Sequence, residues 1–236
     1  MAVNRVRADI DLDAVLYNME SMHKKLKPGT KIAAVVKADG YGHGAVEISR
    51  VLEKLPYLWG YAVATSNEAM QLVEAGRKKP IIILGLSFPE QFEEIVENDL
   101  RPAVCTYETA QALSDIAAEK NKVCRIHIKV DTGMSRIGGI FTHFARADES
   151  SKAPAYEQFK QFEKMIAMVE EKGVQIPLKH CSNSAGIVEI PECNMDMVRA
   201  GITLYGLWPS EEVDKTKISL KPVMSLRSRV AYVKEL

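Results

Sequence analysis

The sequence carries no surplus of either charge: Lys plus Arg and Asp plus Glu each number 31, so the formal net charge is zero. A chain without a global field has nothing to draw it to nucleic acid or to an anionic lipid surface, and small-molecule chemistry fits better. Cysteine is scarce as well. Cys105, Cys124, Cys181 and Cys193 form no C-x-x-C pair, and 236 residues bury enough core to need no disulfide staples, which points to a reducing cytoplasm. No apolar run is long enough to span a bilayer, and Met1 to Asp9 hold no apolar signal region. A soluble, unsecreted protein without a metal is expected.

What is present is alternation. Leu12, Val15, Leu16, Met19, Met22 and Leu26 recur at helical spacing before Pro28-Gly29, predicting an opening amphipathic helix. Eight apolar runs follow, over 31–37, 58–64, 80–86, 101–105, 123–130, 139–144, 178–182 and 197–205. Helix signals stand between them. Thr65-Ser66-Asn67-Glu68 has capping-box spacing and Gly76 closes the helix it starts, while Pro154 opens a stripe of Phe159, Phe162, Ile166 and Val169 that Gly173 ends. Strands alternating with helices imply a parallel sheet, and eight such units predict an α/β fold of the (β/α)₈ TIM-like barrel type over residues 1–218.

One connection is short. Only about eight residues separate the fifth strand, ending near Asp131, from the sixth, starting near Gly139, where a parallel crossover ordinarily takes about a dozen or more. The fifth helix looks deleted, and the helical ring is expected to expose apolar surface there. The tail, 219–236, with Pro222, Val223, Met224, Leu226, Val230, Ala231 and Val233, reads as a strand entering a second domain, with nothing to pair against.

In a barrel, reactive groups gather at the C-terminal ends of the strands. The first strand ends in Val35-Val36-Lys37-Ala38-Asp39-Gly40-Tyr41-Gly42-His43-Gly44. A lysine ending a buried strand is a candidate Schiff-base nucleophile, and the glycines after it bring backbone close to a ligand. After the fifth strand comes Lys129-Val130-Asp131-Thr132-Gly133-Met134-Ser135-Arg136-Ile137-Gly138, and the sixth ends in Thr142-His143-Phe144-Ala145. The seventh gives His180-Cys181-Ser182-Asn183-Ser184-Ala185-Gly186 and the eighth Arg199-Ala200-Gly201-Ile202, loops on which barrels commonly hold phosphate.

These strings together closely resemble the signatures of the alanine racemases, pyridoxal-phosphate enzymes that interconvert L- and D-alanine on a barrel domain. The resemblance covers essentially the whole chain. It implies pyridoxal 5′-phosphate as cofactor, Lys37 as the residue that forms the aldimine with it and later acts as one base, and Arg136 as the group facing the phenolic oxygen and the substrate carboxylate. It makes Lys129 a position where many relatives carry a carbamylated lysine, and His143 a hydrogen-bond partner of the catalytic groups. Tyr41, Asn183, Ser184, Gly201 and Ile202 fall to the cofactor and its phosphate, and Arg199 to the pyridine nitrogen. It also implies a cytoplasmic homodimer making a cell-wall precursor.

The family's second base, a tyrosine from a C-terminal β-domain reaching across the dimer, does not appear here, since Tyr205 and Tyr232 do not sit in its motif. The chain alone is therefore expected to racemise poorly. Two other readings stay open: a single-domain pyridoxal-phosphate homeostasis protein on the same barrel, which lacks the D-G-Y-G-H-G continuation, and a racemase for another amino acid such as serine or lysine.

Overall fold

The computed structural model describes residues 5–129, 137–230, 232 and 234. The strands are β1 (Val6–Ile10), β2 (Lys31–Val35), β3 (Leu58–Val63), β4 (Ile81–Ile83), β5 (Arg101–Val104), β6 (Ile126–Lys129), β7 (Ile137–Phe141), β8 (Lys179–His180), β9 (Met197–Ala200) and β10 (Met224–Ser228). Strands β2 to β9 form one parallel sheet in the order β8-β7-β6-β5-β4-β3-β2-β9. The backbone N–H groups of Asp196 and Arg199 donate to the carbonyls of Lys179 (3.1 Å) and Ser182 (3.0 Å), so the two outer strands meet and the sheet nearly closes into a barrel. These are the eight expected strands, and the fold is the expected α/β barrel.

Alternation along the strands divides the core in two. Ala33, Val35, Ala62, Ile82 and Met197 face the barrel interior. Ile32, Ala34, Tyr61, Val63, Ile81, Ile83 and Val104 face outward, where Ile48, Leu52, Leu72, Ile95 and Leu113 of the surrounding helices cover them. The opening helix, Leu12–His23, starts where the Asp11 carboxylate accepts from the backbone of Asp13 and Ala14, each at 3.0 Å.

The described crossovers carry helices: Ala45–Leu52, Ser66–Glu74, Phe92–Glu97, Tyr107–Glu119, Ala153–Glu170 and Ser184–Glu189. Strands β6 and β7 pair directly, and the expected loss of the helix between them falls on residues 130–136, outside the described residues. The outer wall beside β6 is left with a groove of 440 Å³, lined by Ala110, Leu113 and Ala117 of the Tyr107–Glu119 helix and by Val123, Cys124 and Ile126.

Two expectations change. The eighth strand stops at Ala200, because the chain turns at Gly201 into a 3-10 turn, Ile202–Tyr205, so the apolar run to Tyr205 is not one strand. The tail does find a partner: β10 pairs antiparallel with β1, Val6 opposite Ser228 and Ile10 opposite Met224. Val6 and Leu226 are exposed on this ribbon.

Candidate active site

At the C-terminal ends of the strands a cavity of 460 Å³ opens, lined among others by Lys37, Tyr41, His143, Asn183, Ser184, Arg199, Gly201 and Ile202. Those eight residues of the sequence reading thus converge on one mouth, with Leu84, Phe144 and Pro209 as apolar walls and Asp148 at the rim. Lys129 is the exposed last residue of β6 and does not line this cavity. Arg136 lies outside the described residues.

Lys37 leads into a strained segment. Ala38, Asp39, Gly40 and Tyr41 all hold left-handed backbone, with φ of 51°, 50°, 61° and 52°. Only glycine adopts this conformation freely, and for an L-residue it costs about 1–2 kcal/mol. The surroundings hold the turn. The Glu68 carboxylate accepts from the Ala38 N–H at 3.0 Å and from the Ala64 N–H at 2.7 Å. The Asp39 carboxylate accepts from Ala45 (2.8 Å), and His43 Nδ1 donates to the carbonyls of Gly40 and Tyr41, both at 3.0 Å. The Tyr205 hydroxyl donates to the Val35 carbonyl at 2.8 Å and is nearly fully buried, so it has no place as a base. The Lys37 ammonium lies 5.8 Å from the centroid of the Tyr41 ring.

Across the mouth, the loops after β8 and β9 are tied together. Ser184 Oγ accepts from the Gly201 N–H at 3.0 Å and lies 3.0 Å from Thr203 Oγ1. A side chain at Gly201 would meet Ser184 Oγ at 3.3 Å and the Tyr41 hydroxyl at 3.7 Å, so glycine leaves a small hollow rimmed by hydroxyls. Burial raises the Tyr41 pKa, keeping its phenol a donor. Asn183 caps its short helix, accepting from Gly186 at 3.1 Å, while its amide nitrogen donates to the Phe144 carbonyl at 3.2 Å and stands 3.4 Å from His143 Nε2.

Arg199 is almost wholly buried, and its two terminal nitrogens are engaged. Nη2 donates to the carbonyls of Thr142 and Cys181, each at 3.0 Å, and lies 3.2 Å from His143 Nδ1; Nη1 donates to His180 Nδ1 at 2.8 Å. Nε is the guanidinium donor with no acceptor among the described residues. Burial pushes the Arg199 pKa down to about 10, so the group stays charged at neutral pH.

The contact with His180 has a consequence that runs into the barrel. Arg199 can only donate, so His180 Nδ1 accepts and Nε2 carries the proton. Nε2 then donates to His127 Nδ1 at 3.1 Å, which leaves the His127 proton on Nε2, buried and without a partner among the described residues. Both histidines are therefore neutral in the folded barrel. Burial, with the cations Arg101 and Arg199, pushes His127 down to about 3, and burial with Arg199 holds His180 well below the usual histidine range. Partial burial, with Arg199, Lys37 and Lys129 nearby, likewise pushes His143 down to about 4.

A pH dependence follows. Unfolding releases His127 and His180 to the ordinary value of about 6.5, below which the unfolded chain binds protons that the folded chain refuses. The His127 contribution to stability is complete above that value and is lost as pH falls toward 3, by about 1.4 kcal/mol per pH unit, and His180 adds to the loss in the same direction. The urea midpoint should drop steeply between pH 7 and pH 5; a level midpoint would mean that the folded barrel protonates them.

The sequence reading quoted His180 only within a string and did not single out His127 or Glu68 for these contacts. The signal for His127 is its place in Ile126-His127-Ile128-Lys129, where a polar residue alternates with outward-facing isoleucines.

Comparison with known proteins agrees with this geometry. The model of the alanine racemase N-terminal domain matches residues 10–140 and 137–209. Alanine racemase of Desulforamulus reducens is 41% identical over 252 residues, covering 97% of this chain and 68% of that protein. That of Methanococcus maripaludis is 40% identical over 264 residues, covering 100% and 69%. Both alignments are longer than this chain's 236 residues, so those relatives carry positions with no counterpart here. Among solved structures, alanine racemase of Clostridium difficile 630 in complex with cycloserine superposes with a TM-score of 0.94 at 36% identity, covering 100% of this chain and 67% of that one. The enzyme of Streptomyces lavendulae gives 0.88 at 30% identity, covering 97% and 66%. The chain thus spans about two thirds of the length of these relatives. On fold, sequence and the gathering of residues at one mouth, it belongs to the alanine racemase family, a family of amino-acid racemases.

Proposed function

We propose that the mouth binds pyridoxal 5′-phosphate and that the protein acts through it in the interconversion of L- and D-alanine. The observation that carries this reading is the donor-rich hollow at Gly201, with the Tyr41 hydroxyl and Ser184 Oγ on its rim, in the same cavity as a lysine amine. A phosphate suits such a hollow, rimmed by hydroxyl donors where the Ser184–Glu189 helix and the Ile202–Tyr205 turn begin. At the opposite wall Arg199 keeps Nε–H for a ring nitrogen. Being a guanidinium, it gives a hydrogen bond and not a proton.

When bound, the cofactor supplies an aldehyde that captures amines and a ring that withdraws the electron pair left at the substrate's α-carbon. The chain does the rest. Lys37 would hold the cofactor through its amine and would take the α-proton on one face and return it. Tyr41 and the Gly201 loop fix the phosphate end, and Arg199, locked by the carbonyls of Thr142 and Cys181, restrains the ring as an electron sink. Arg136 belongs to the substrate carboxylate in this reading, with Lys129, carbamylated or not, as its neighbour. A second domain from residue 219, a cytoplasmic homodimer and a tyrosine from the partner copy complete the proposal.

Mixing the purified chain with pyridoxal phosphate should give a visible absorbance band that borohydride bleaches, and peptide mapping should place the reduced adduct on Lys37. Label scattered over surface lysines, or no band, would sink the assignment.

A further inference from the structure

The end of the barrel opposite the mouth holds a second cavity, of 410 Å³, and its lining is unusual for a barrel floor. It includes Trp59, Arg101, Arg125, Gly138 and Leu178, all at or just before the starts of their strands. The Arg101 guanidinium stacks on Trp59, 4.9 Å from the ring centroid. Among the described residues it meets no hydrogen-bond acceptor, and its Nε is buried without a partner. The nearest carboxylate, Asp99, is taken: it accepts from Arg125 at 2.9 Å. A half-buried arginine left without an acceptor beside a second arginine is costly unless something negative completes it.

The polar interior of the barrel points to the same end. Ala103 of β5 stands opposite His127 of β6, so Arg101, two residues earlier on the same face, lies one layer below that histidine. His127 is fully buried and meets Trp59 edge-on, centroids 5.7 Å apart. Its Nε2–H is the terminal, unanswered donor of the chain that begins at Arg199 and passes through His180. Two unpartnered buried donors, the His127 Nε2–H and the Arg101 Nε–H, thus stand one layer apart beside one tryptophan.

We propose that this floor cavity is a binding site for a small oxyanion, phosphate or carboxylate, held by the Arg101 guanidinium against Trp59, one layer below the unanswered His127 N–H. A planar guanidinium matches the paired oxygens of either group, and the low-dielectric wall strengthens the contact.

The sequence contains two tryptophans, Trp59 at the floor and Trp208 beside Pro209 at the mouth, so Trp208→Phe leaves a reporter for the floor alone. That variant, with pyridoxal phosphate present to fill the mouth, is titrated with inorganic phosphate, acetate and chloride at matched ionic strength. Emission from Trp59 should change saturably with phosphate or acetate and not with chloride, and adding Arg101→Gln should weaken the response by about tenfold or more. A response that fails to saturate, that chloride reproduces, or that survives Arg101→Gln unchanged overturns the proposal. Should Arg101→Gln not fold, Arg101→Lys keeps the charge but not the fork, and a midpoint identical to the parent's is the overturning result. Because Trp59 reports the floor alone, failure of the cofactor assignment would leave this measurement standing.

Discussion

Replacing Arg199 by leucine is expected to destabilise the barrel by about 3–5 kcal/mol, the larger of the two strongest effects foreseen here. The guanidinium answers three buried acceptors: the carbonyls of Thr142 and Cys181 and the Nδ1 of His180. Leucine fills part of the space but answers none of them, and each acceptor stranded away from water costs about 1–3 kcal/mol. Some relaxation toward the mouth keeps the total below the sum. Arg199→Lys should recover only part, since three donors on one nitrogen cannot reach acceptors set for a planar fork. Equilibrium urea unfolding without added cofactor measures this directly, as ligand binding then adds nothing to stability. Losses under about 1 kcal/mol in both variants would show that water replaces the guanidinium freely and that the site is not preorganised. The Leu variant should also release the proton order of the interior pair. With no donor at His180 Nδ1, either nitrogen of either ring can carry the proton, and the acid dependence of stability should ease by the share that Arg199 contributes while the larger share from burial stays.

How much of this was legible beforehand differs by feature, and the differences have physical causes. The barrel was legible because its strands are buried on both faces and read as short apolar runs with turn and cap residues between them. The mouth was legible because Lys37, His143, Ser184 and Arg199 stand where those runs stop. The turn at Gly201 was not, since Ile202, Leu204 and Tyr205 continue an apolar run whose end only the backbone reveals: they are buried by a 3-10 turn and not by a strand. The pairing of β1 with β10 joins residues more than two hundred positions apart, a contact no local pattern encodes, although Val6, Ala8 and Ile10 do alternate with Arg7 and Asp9. The His127 and His180 pair escaped for a related reason. Each histidine sits in a strand of ordinary composition, and only the sheet order, with β6 and β8 flanking β7 at Gly139, brings them within 3.1 Å. Glu68 was recognised for its spacing after Thr65, and half of that reading holds, as Thr65 Oγ accepts from the Glu68 N–H at 3.3 Å. The returning half does not. The carboxylate passes over Thr65 to the backbone of Ala64 and Ala38, serving the segment after Lys37 in place of its own helix.

That diversion makes Glu68→Gln the second strong prediction. The carboxylate offers one oxygen to each of two N–H groups, at 3.0 Å and 2.7 Å. Glutamine keeps the shape but turns one of those oxygens into an NH₂, so a donor must face either Ala38 or Ala64. Losing a charge-assisted bond and stranding an N–H should cost about 1.5–3 kcal/mol. The stability loss is the smaller part of the consequence. Ala38, Asp39 and Tyr41 are held in left-handed backbone that L-residues leave when released, and the Glu68 contact is the restraint immediately beside Lys37. If the turn relaxes, the amine shifts relative to the hollow at Gly201, and a displacement near 1 Å lowers reactivity on the order of 100-fold. Thr65→Ala supplies the control. It removes the cap of the same helix, at about 1 kcal/mol, without touching the Ala38 N–H. The rate at which pyridoxal phosphate is trapped on Lys37 should therefore fall sharply in Glu68→Gln and stay near the parent value in Thr65→Ala. Equal rates in the two variants would mean that the left-handed turn holds itself, and that the restraint on the lysine lies in Asp39 and His43.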